Sequence, residues 1–347
     1  MTAATLTTAT LVRLGEISNR TFVLPLVIFY PTSRCNSRCV SCDWWKQTGE
    51  HDLSLGEIDG VAAAVAALGT RLVVFSGGEP LLRPEVFEAA RRFRARGLTL
   101  HLLTSGVLLE RFADRVAEQF ARVCISLDAA DAPLYERVRG VDALPVVQRG
   151  VRLLHRLAPE IPVTARSTLH RRNFLQLPRL IDRASAMGLD GISFLPADVL
   201  SAGAFGREAR PDAAGLMLDH DDVEDFEAVV ERTIVTHADA FASGFVAESA
   251  ERLRRLPRYY RALAGDGPFP PVTCNAPWVS IVIEANGQVR PCFFHEPIGN
   301  LRDTPLADIV GGRLRTFRQS LCVETDATCE RCVCSLKTGW RRTPWTS

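Results

Sequence analysis

Phe29-Tyr-Pro-Thr-Ser-Arg-Cys35-Asn-Ser-Arg-Cys39-Val-Ser-Cys42 sets three cysteines at intervals of four and three residues on a loop that follows a short apolar strand. Thiolates so spaced converge on one face of a cubane. A [4Fe-4S] cluster normally takes four cysteines, so three without a local fourth leave one iron open to a non-protein ligand. Zinc is the alternative, but Cys-x2-Cys zinc sites need a further pair or a histidine at matching spacing. His51, nine residues beyond Cys42, is inconveniently placed for that role.

Around this loop the chain reads as repeated βα units. Strands are expected at Phe22–Phe29, Arg71–Phe75, Leu98–Leu103, Arg122–Leu127, Ile161–Thr168 and Gly191–Leu195. They are short and rich in Val, Ile and Leu, as strands buried on both faces should be. Helices are expected at Leu55–Leu68, Pro84–Ala95, Leu108–Gln119, Leu144–Leu157 and Leu175–Met187. The alternation predicts an α/β fold with a parallel sheet. From Pro196 to Asp222 the chain reads as a long loop flanking the active site, followed by helices over Val223–Val235 and Val246–Leu263. Ala285-Asn-Gly joins Trp278–Glu284 to Gln288–Arg290 as a hairpin, and short helices follow around Leu306–Ile309 and Leu314–Gln319.

The 347 residues are 47% hydrophobic, 23% charged and of formal net charge +1. The apolar fraction excludes a disordered chain, and the charge balance points away from nucleic acid. No apolar run approaches the roughly 18 residues that span a bilayer, and no secretion signal is visible, so no membrane partner and a cytoplasmic location are expected. Thiols stay reduced there, which makes clustered cysteines ligands rather than disulfides. Of the ten cysteines, three lie in the first loop, six lie between Cys274 and Cys334, and Cys124 stands alone as a small buried hydrophobe.

Val73-Val-Phe-Ser-Gly77-Gly78-Glu79-Pro80 ends the second strand. Its glycines leave room for close backbone approach, and a carboxylate there can accept a hydrogen bond from an α-ammonium group. Thr104 and Ser105 close the third strand, and Ser126 and Asp128 the fourth. Ligands bind at such carboxyl ends of parallel strands.

With these segments in sequence, the chain resembles the radical S-adenosylmethionine (SAM) enzymes. The resemblance implies a partial (β/α)6 TIM-like barrel whose Cys35, Cys39 and Cys42 hold a [4Fe-4S] cluster with one SAM-coordinated iron. It implies reductive cleavage of SAM to a 5′-deoxyadenosyl radical that abstracts a substrate hydrogen, fed by a flavodoxin- or ferredoxin-type electron donor. Gly77, Gly78, Glu79 and Pro80 match the motif that binds the methionine amino group, and Thr104, Ser105, Ser126 and Asp128 match SAM-contacting segments. Arg139 and Arg166 are the candidates for holding the SAM carboxylate. Ser41 departs from the family, which often has an aromatic before the third cysteine; Trp44 and Trp45 follow the cluster instead.

The later cysteines resemble the auxiliary iron–sulfur region called SPASM, or its shortened form, twitch. Cys274 and Cys292 bracket the hairpin, with Gly287 five residues before Cys292, and Cys329-x2-Cys332 supplies a second pair. These four are the expected ligands of one auxiliary [4Fe-4S] cluster in a small C-terminal domain containing the hairpin. Two clusters or a structural zinc are the alternatives, since the downstream spacing departs from a full SPASM pattern. Cys322 and Cys334 are left as spare thiols suited to return a hydrogen atom to a substrate radical, or as alternative ligands in place of one of the four, and His295 and Glu296 as candidate bases.

The expected division is an extension over 1–21, the barrel over 22–195, a linker over 196–270 and the auxiliary region over 271–347. Because the first cluster begins by residue 35, no recognition domain is expected ahead of the barrel, which favours a small oxygen-rich metabolite. The expected function is therefore an oxidoreductase of antibiotic biosynthesis that dehydrogenates a carbinol of a sugar or aminocyclitol. The alternatives are an epimerase, a decarboxylase or a peptide-modifying enzyme, and, in another class, a non-catalytic iron–sulfur scaffold.

Overall fold

Six short strands stand side by side in chain order, all parallel: β1 (Leu26–Phe29), β2 (Leu72–Phe75), β3 (Thr99–Thr104), β4 (Arg122–Ser126), β5 (Val163–Leu169) and β6 (Gly191–Pro196). The structure is a computed structural model that describes residues 6–207 and 215–338. The middle of the expected 196–222 loop and the basic, tryptophan-containing end of the chain therefore lie outside the described residues. β1 and β2 are buried at every position. Along β5 the pattern alternates: Val163, Ala165 and Leu169 pack into the core shared with the helices, while Thr164, Arg166 and Thr168 are half-buried on the inner face. The result is a partial (β/α)6 barrel with helices outside and a mixed polar interior.

Local signals set most of the outer layer. The helix Leu55–Ala67 opens with a capping box, in which Glu57 N–H donates to Ser54 Oγ and Ser54 N–H donates to Glu57 Oε2, and it buries Ile58, Val61, Ala62 and Val65. Phe75 meets Phe29, Phe93 and Phe120 in a cluster of tilted and edge-on rings beneath the sheet. Among the described residues, no helix is long and apolar enough to cross a membrane.

The structure departs from the expected elements in places with clear causes. β1 starts at Leu26 rather than Phe22, because Pro25 interrupts the run and its carbonyl instead receives Arg71 and Leu72 N–H. Pro84 precedes its helix, which runs Val86–Arg94. Residues 245–247 are not the start of a helix. They pair with β6, through Ile192 N–H to Phe245 O and Ala247 N–H to Ile192 O, and the helix begins at Ala250. An unpaired sheet edge drew that segment in. Two helices of eight or more residues were not expected: Thr8–Ser18, and Ala132–Arg139, which has an Asp131 cap, Pro133 in its first turn and Gly140 at its end.

The hairpin also sits differently. β7 (Ser280–Ile283) lies parallel beside β1, with Leu26 opposite Ser280 and Phe29 opposite Ile283. β8 (Gln288–Arg290) and β9 (Gly299–Asn300) follow antiparallel, giving one nine-stranded sheet in the order β6-β5-β4-β3-β2-β1-β7-β8-β9. All four β7 residues are buried, as a strand covered on both faces requires, and β1 gains a partner for its outer edge. The auxiliary hairpin is thus a continuation of the barrel sheet, delivered to the mouth where the first cysteines lie.

Candidate functional site

The loop of Cys35, Cys39 and Cys42 is held from three directions by main-chain hydrogen bonds. Gly78 N–H donates to Thr32 O (3.2 Å) and Glu79 N–H to Arg34 O (2.8 Å). Arg38 N–H donates to Arg139 O (2.8 Å), Val40 N–H to Val138 O (3.0 Å), and Asp43 N–H to Phe205 O (2.9 Å). Below, Asp52 accepts from Ser33 N–H and from the hydroxyls of Thr32 and Ser33. The ties are close packed: a Cβ on Gly140 would lie 2.6 Å from Arg38 O, and one on Gly78 2.1 Å from Arg34 O. All three thiols are half-buried and outside any disulfide. Burial pushes Cys35 up to about 11 and Cys42 up to about 12. These sulfurs are protonated at neutral pH until a metal displaces the protons.

Most of the residues that the resemblance assigns to SAM lie around this loop. Glu79 is completely buried, its Oε1 accepting from Thr104 Oγ1 (2.8 Å) and Leu81 N–H (3.0 Å), its Oε2 from Ser105 N–H (2.6 Å). The carboxylate therefore joins the ends of β2 and β3, and it retains acceptor capacity for a further donor. Ser105 Oγ reaches Asn36 Oδ1 in the cysteine loop (3.2 Å), and Gly77, at φ +95, lies against Tyr30. Asp128 is buried and bonded to Arg139 Nη1 (2.8 Å) and Thr168 N–H (2.7 Å). Arg139 faces Cys39, and its Nε has no hydrogen-bond partner; Ser37 Oγ in the cysteine loop is likewise buried and unpartnered. Three convergent thiols, a cradle closed to any Cβ and orphaned buried donors fit a cluster with a polar ligand above it. Arg166 stands apart from this group on the inner face of β5, its Nε donating to Ser193 Oγ (3.2 Å), with Cys334 and Glu248 as neighbours. Ser126 pairs with Arg166 in the β4–β5 register.

The second cysteine group brings Cys334 in as a neighbour of the four expected ligands, although not every pair of the five is adjacent. Burial, then the sulfurs of Cys334, Cys274 and Cys292, push the Cys332 thiol up. Cys292, up to about 11 chiefly from burial, neighbours Cys274 and Cys334, and Cys329 neighbours Cys292 and Cys274. Main-chain N–H groups already point at two of the sulfurs: Ala276 N–H at Cys274 (3.4 Å) and Cys334 N–H at Cys332 (3.4 Å). This donor set also fits an iron–sulfur cluster. Cys322 lies outside it, exposed, with its Sγ 3.5 Å from Glu324. His295 is buried and turned to Cys329 Sγ (3.4 Å) and Asp326 (3.5 Å), with its ring against Phe317. Glu296 lines a cleft of about 230 Å³ with Asp198, Ser201, Phe294, Thr328 and Arg331, and Cys332 forms part of the wall.

Sequence reasoning passed over two contributors. Tyr30, at the end of β1, lies between the groups, with Cys42 and Cys334 both among its neighbours. The segment 198–207 closes over Cys42 through Phe205 O and Arg207; its composition of Gly, Ala and Ser gives no local sign of that contact.

Similarity to known proteins covers the same two cysteine regions. Residues 29–184 match the radical SAM superfamily and residues 274–333 an iron–sulfur cluster-binding domain, SPASM. The chain is 30% identical over 288 residues to the PqqA peptide cyclase of Rhodopseudomonas palustris, covering 81% of this chain and 70% of that protein. It is 32% identical over 189 residues to the GTP 3′,8-cyclase of Paracoccus denitrificans, covering 52% of this chain and 54% of that one. Streptococcus suis SuiB, solved with its precursor peptide SuiA, superposes with a TM-score of 0.64 at 13% identity, over 92% of this chain and 73% of its own. These relatives overturn the expected dehydrogenation of a sugar or aminocyclitol and the small-molecule partner that went with it, since their names are those of peptide and nucleotide enzymes. That expectation rested on the chain preceding the barrel, whereas substrate choice resides in loops around the barrel mouth. The chain belongs to the radical SAM superfamily, as an enzyme whose partial barrel is followed by a SPASM auxiliary iron–sulfur region.

Proposed function

We propose that this enzyme modifies a peptide. The observation that carries the reading is the likeness to a peptide cyclase over 81% of the chain, well beyond the barrel match of 29–184. In the proposal, Cys35, Cys39 and Cys42 hold the SAM-binding [4Fe-4S] cluster, and Cys274, Cys292, Cys329 and Cys332 hold an auxiliary one. When bound, the first cluster and SAM supply a 5′-deoxyadenosyl radical that takes a hydrogen atom from the substrate.

The chain's own residues would do the rest. Gly77, Gly78, Glu79 and Pro80 receive the amino end of SAM; Thr104, Ser105, Ser126 and the Asp128–Arg139 pair line its bed. In this reading the peptide enters by the cleft between Asp198–Gly203 and the auxiliary residues, and Glu296, on the wall of that cleft, takes a proton from it. Arg166 and Cys334 line the inner face beyond. The division into barrel (22–195), linker (196–270) and auxiliary region (271–347) belongs to the same proposal.

The test is anaerobic reconstitution, reduction and incubation with SAM and synthetic peptides taken from short reading frames beside the gene. We expect 5′-deoxyadenosine in step with a peptide two mass units lighter. Cleavage stimulated by GTP, with no change in any peptide, would replace this reading by a nucleotide cyclase, which the shorter likeness to the GTP enzymes favours.

A further inference from the structure

Two buried aspartate–arginine pairs flank the first cysteine loop. One, Asp128–Arg139, belongs to the matched motif and faces Cys39. The other lies on the segment after β6, which no motif covers. Arg207 Nη1 meets Asp198 Oδ2 at 2.8 Å, with the two side chains 1% and 4% exposed. Arg207 Nη2 donates to Ser41 O (2.6 Å), the carbonyl immediately before Cys42, and to Asp198 O (3.0 Å). The same segment touches the cysteine loop twice more: Phe205 O lies 3.5 Å from Cys42 Sγ, and Gln47 Nε2 donates to Gly206 O (3.1 Å).

This arrangement is expensive. Taking an ion pair out of water rarely repays its desolvation. Phe205 adopts φ +57, which strains a residue with a Cβ, and Gly206 packs so closely that a Cβ would lie 2.8 Å from Trp44 N. Strain and a buried pair persist where neighbouring structure over-determines them, commonly at functional sites. Here the charges of the segment point at one place. Between 198 and 207 the sequence holds a single acid and a single base, and the base is directed at the carbonyl joined to Cys42.

We propose that Arg207, held by Asp198, is a positioning residue for the first cluster: it fixes the Ser41–Cys42 backbone and sets a buried positive charge beside Cys42 that favours the reduced, more negative state. The inference rests on the reading that Cys35, Cys39 and Cys42 hold a redox cluster. Asp198 has two effects of opposite sense, since it orients the guanidinium and partly cancels its field. Loss of the arginine charge should therefore lower the reduction potential, and loss of the aspartate charge should raise it.

The experiment is a redox titration followed by EPR on anaerobically reconstituted protein, with iron counted for each sample. The first-cluster signal is identified as the one lost in Cys42→Ser. For Arg207→Met, the ratio of reduced to oxidised cluster at a fixed potential should fall about tenfold, equivalent to a 59 mV shift for one electron. Asp198→Asn should raise the ratio, and Arg207→Lys, which keeps the charge, should stay within threefold of the parent. A merely structural strap would lower the melting temperature in all three variants without opposite shifts in potential. Shifts of the same sign in Arg207→Met and Asp198→Asn, or none in either, would overturn the proposal. If Arg207→Met takes up no iron, the comparison of Asp198→Asn with Arg207→Lys still decides it by the sign of the first and the constancy of the second. If no signal is lost in Cys42→Ser, the cluster assignment itself fails instead.

Discussion

Replacing Gly78 by alanine should abolish the first cluster while leaving the fold intact. An added Cβ would lie 2.1 Å from Arg34 O, 2.7 Å from Arg34 C and 2.8 Å from Ser33 O, all main-chain atoms that no side-chain rotation can clear. Restoring van der Waals distance needs a movement of about 1 Å, against a packing in which even one methylene is felt. The movement breaks the bonds from Gly78 N–H to Thr32 O and from Glu79 N–H to Arg34 O. At about 0.5–1.5 kcal/mol each, their loss costs roughly 1–3 kcal/mol, within a typical global stability of about 5–15 kcal/mol. The chain therefore folds, but Arg34 and the adjoining Cys35 are displaced by far more than the ~0.2 Å tolerance of a metal site. Anaerobic reconstitution, iron and sulfide counts, EPR and far-ultraviolet circular dichroism check this. The control is Gly60→Ala, inside the helix Leu55–Ala67, where nothing lies within 4 Å of the new Cβ. That change should retain the iron and add about 0.5–1 kcal/mol of stability. If Gly78→Ala binds iron with the parent's stoichiometry and EPR signal, the reasoning from close packing is wrong.

Two further outcomes are expected. Glu248 accepts Phe194 N–H at the edge of β6, and burial pushes its carboxyl up to about 7. The folded state thus binds the extra proton, so its stabilising contribution is complete below the unfolded value of about 4.3 and is lost as pH rises through 7. Urea melts should show the parent losing up to ~3 kcal/mol between pH 5 and 8 relative to Glu248→Gln; equal slopes in the two proteins would contradict this. Cys322→Ser should leave the iron content unchanged, because this thiol is exposed and apart from the other five, whereas Cys292→Ser should reduce it; iron loss on Cys322→Ser would mean that the auxiliary site recruits it.

Much of the barrel was legible because its signals are local. A run such as Leu72–Phe75, apolar at every position, reads as a strand covered on both faces, and the capped helix Leu55–Ala67 carries its own start signal. The helix Ala132–Arg139 carried its signals too, an aspartate cap and a terminal glycine, but its eight residues fall short of a convincing period. The substrate was not legible, since the barrel motifs serve the cofactor and leave the cleft to the loops after β6 and Cys292.

The sequence by itself determined the chemistry of the centre, because the spacing of Cys35, Cys39 and Cys42 and the Gly77–Pro80 turn are short-range features read along a single loop. Only the tertiary structure decided how distant parts meet it. β7 fills the open edge of β1, Cys334 rather than Cys322 joins the auxiliary thiols, and Arg207 closes on Ser41 across 166 positions. Those meetings follow from unpaired strand edges and buried charges seeking partners, which depend on the folded surface and leave no periodic trace in the chain.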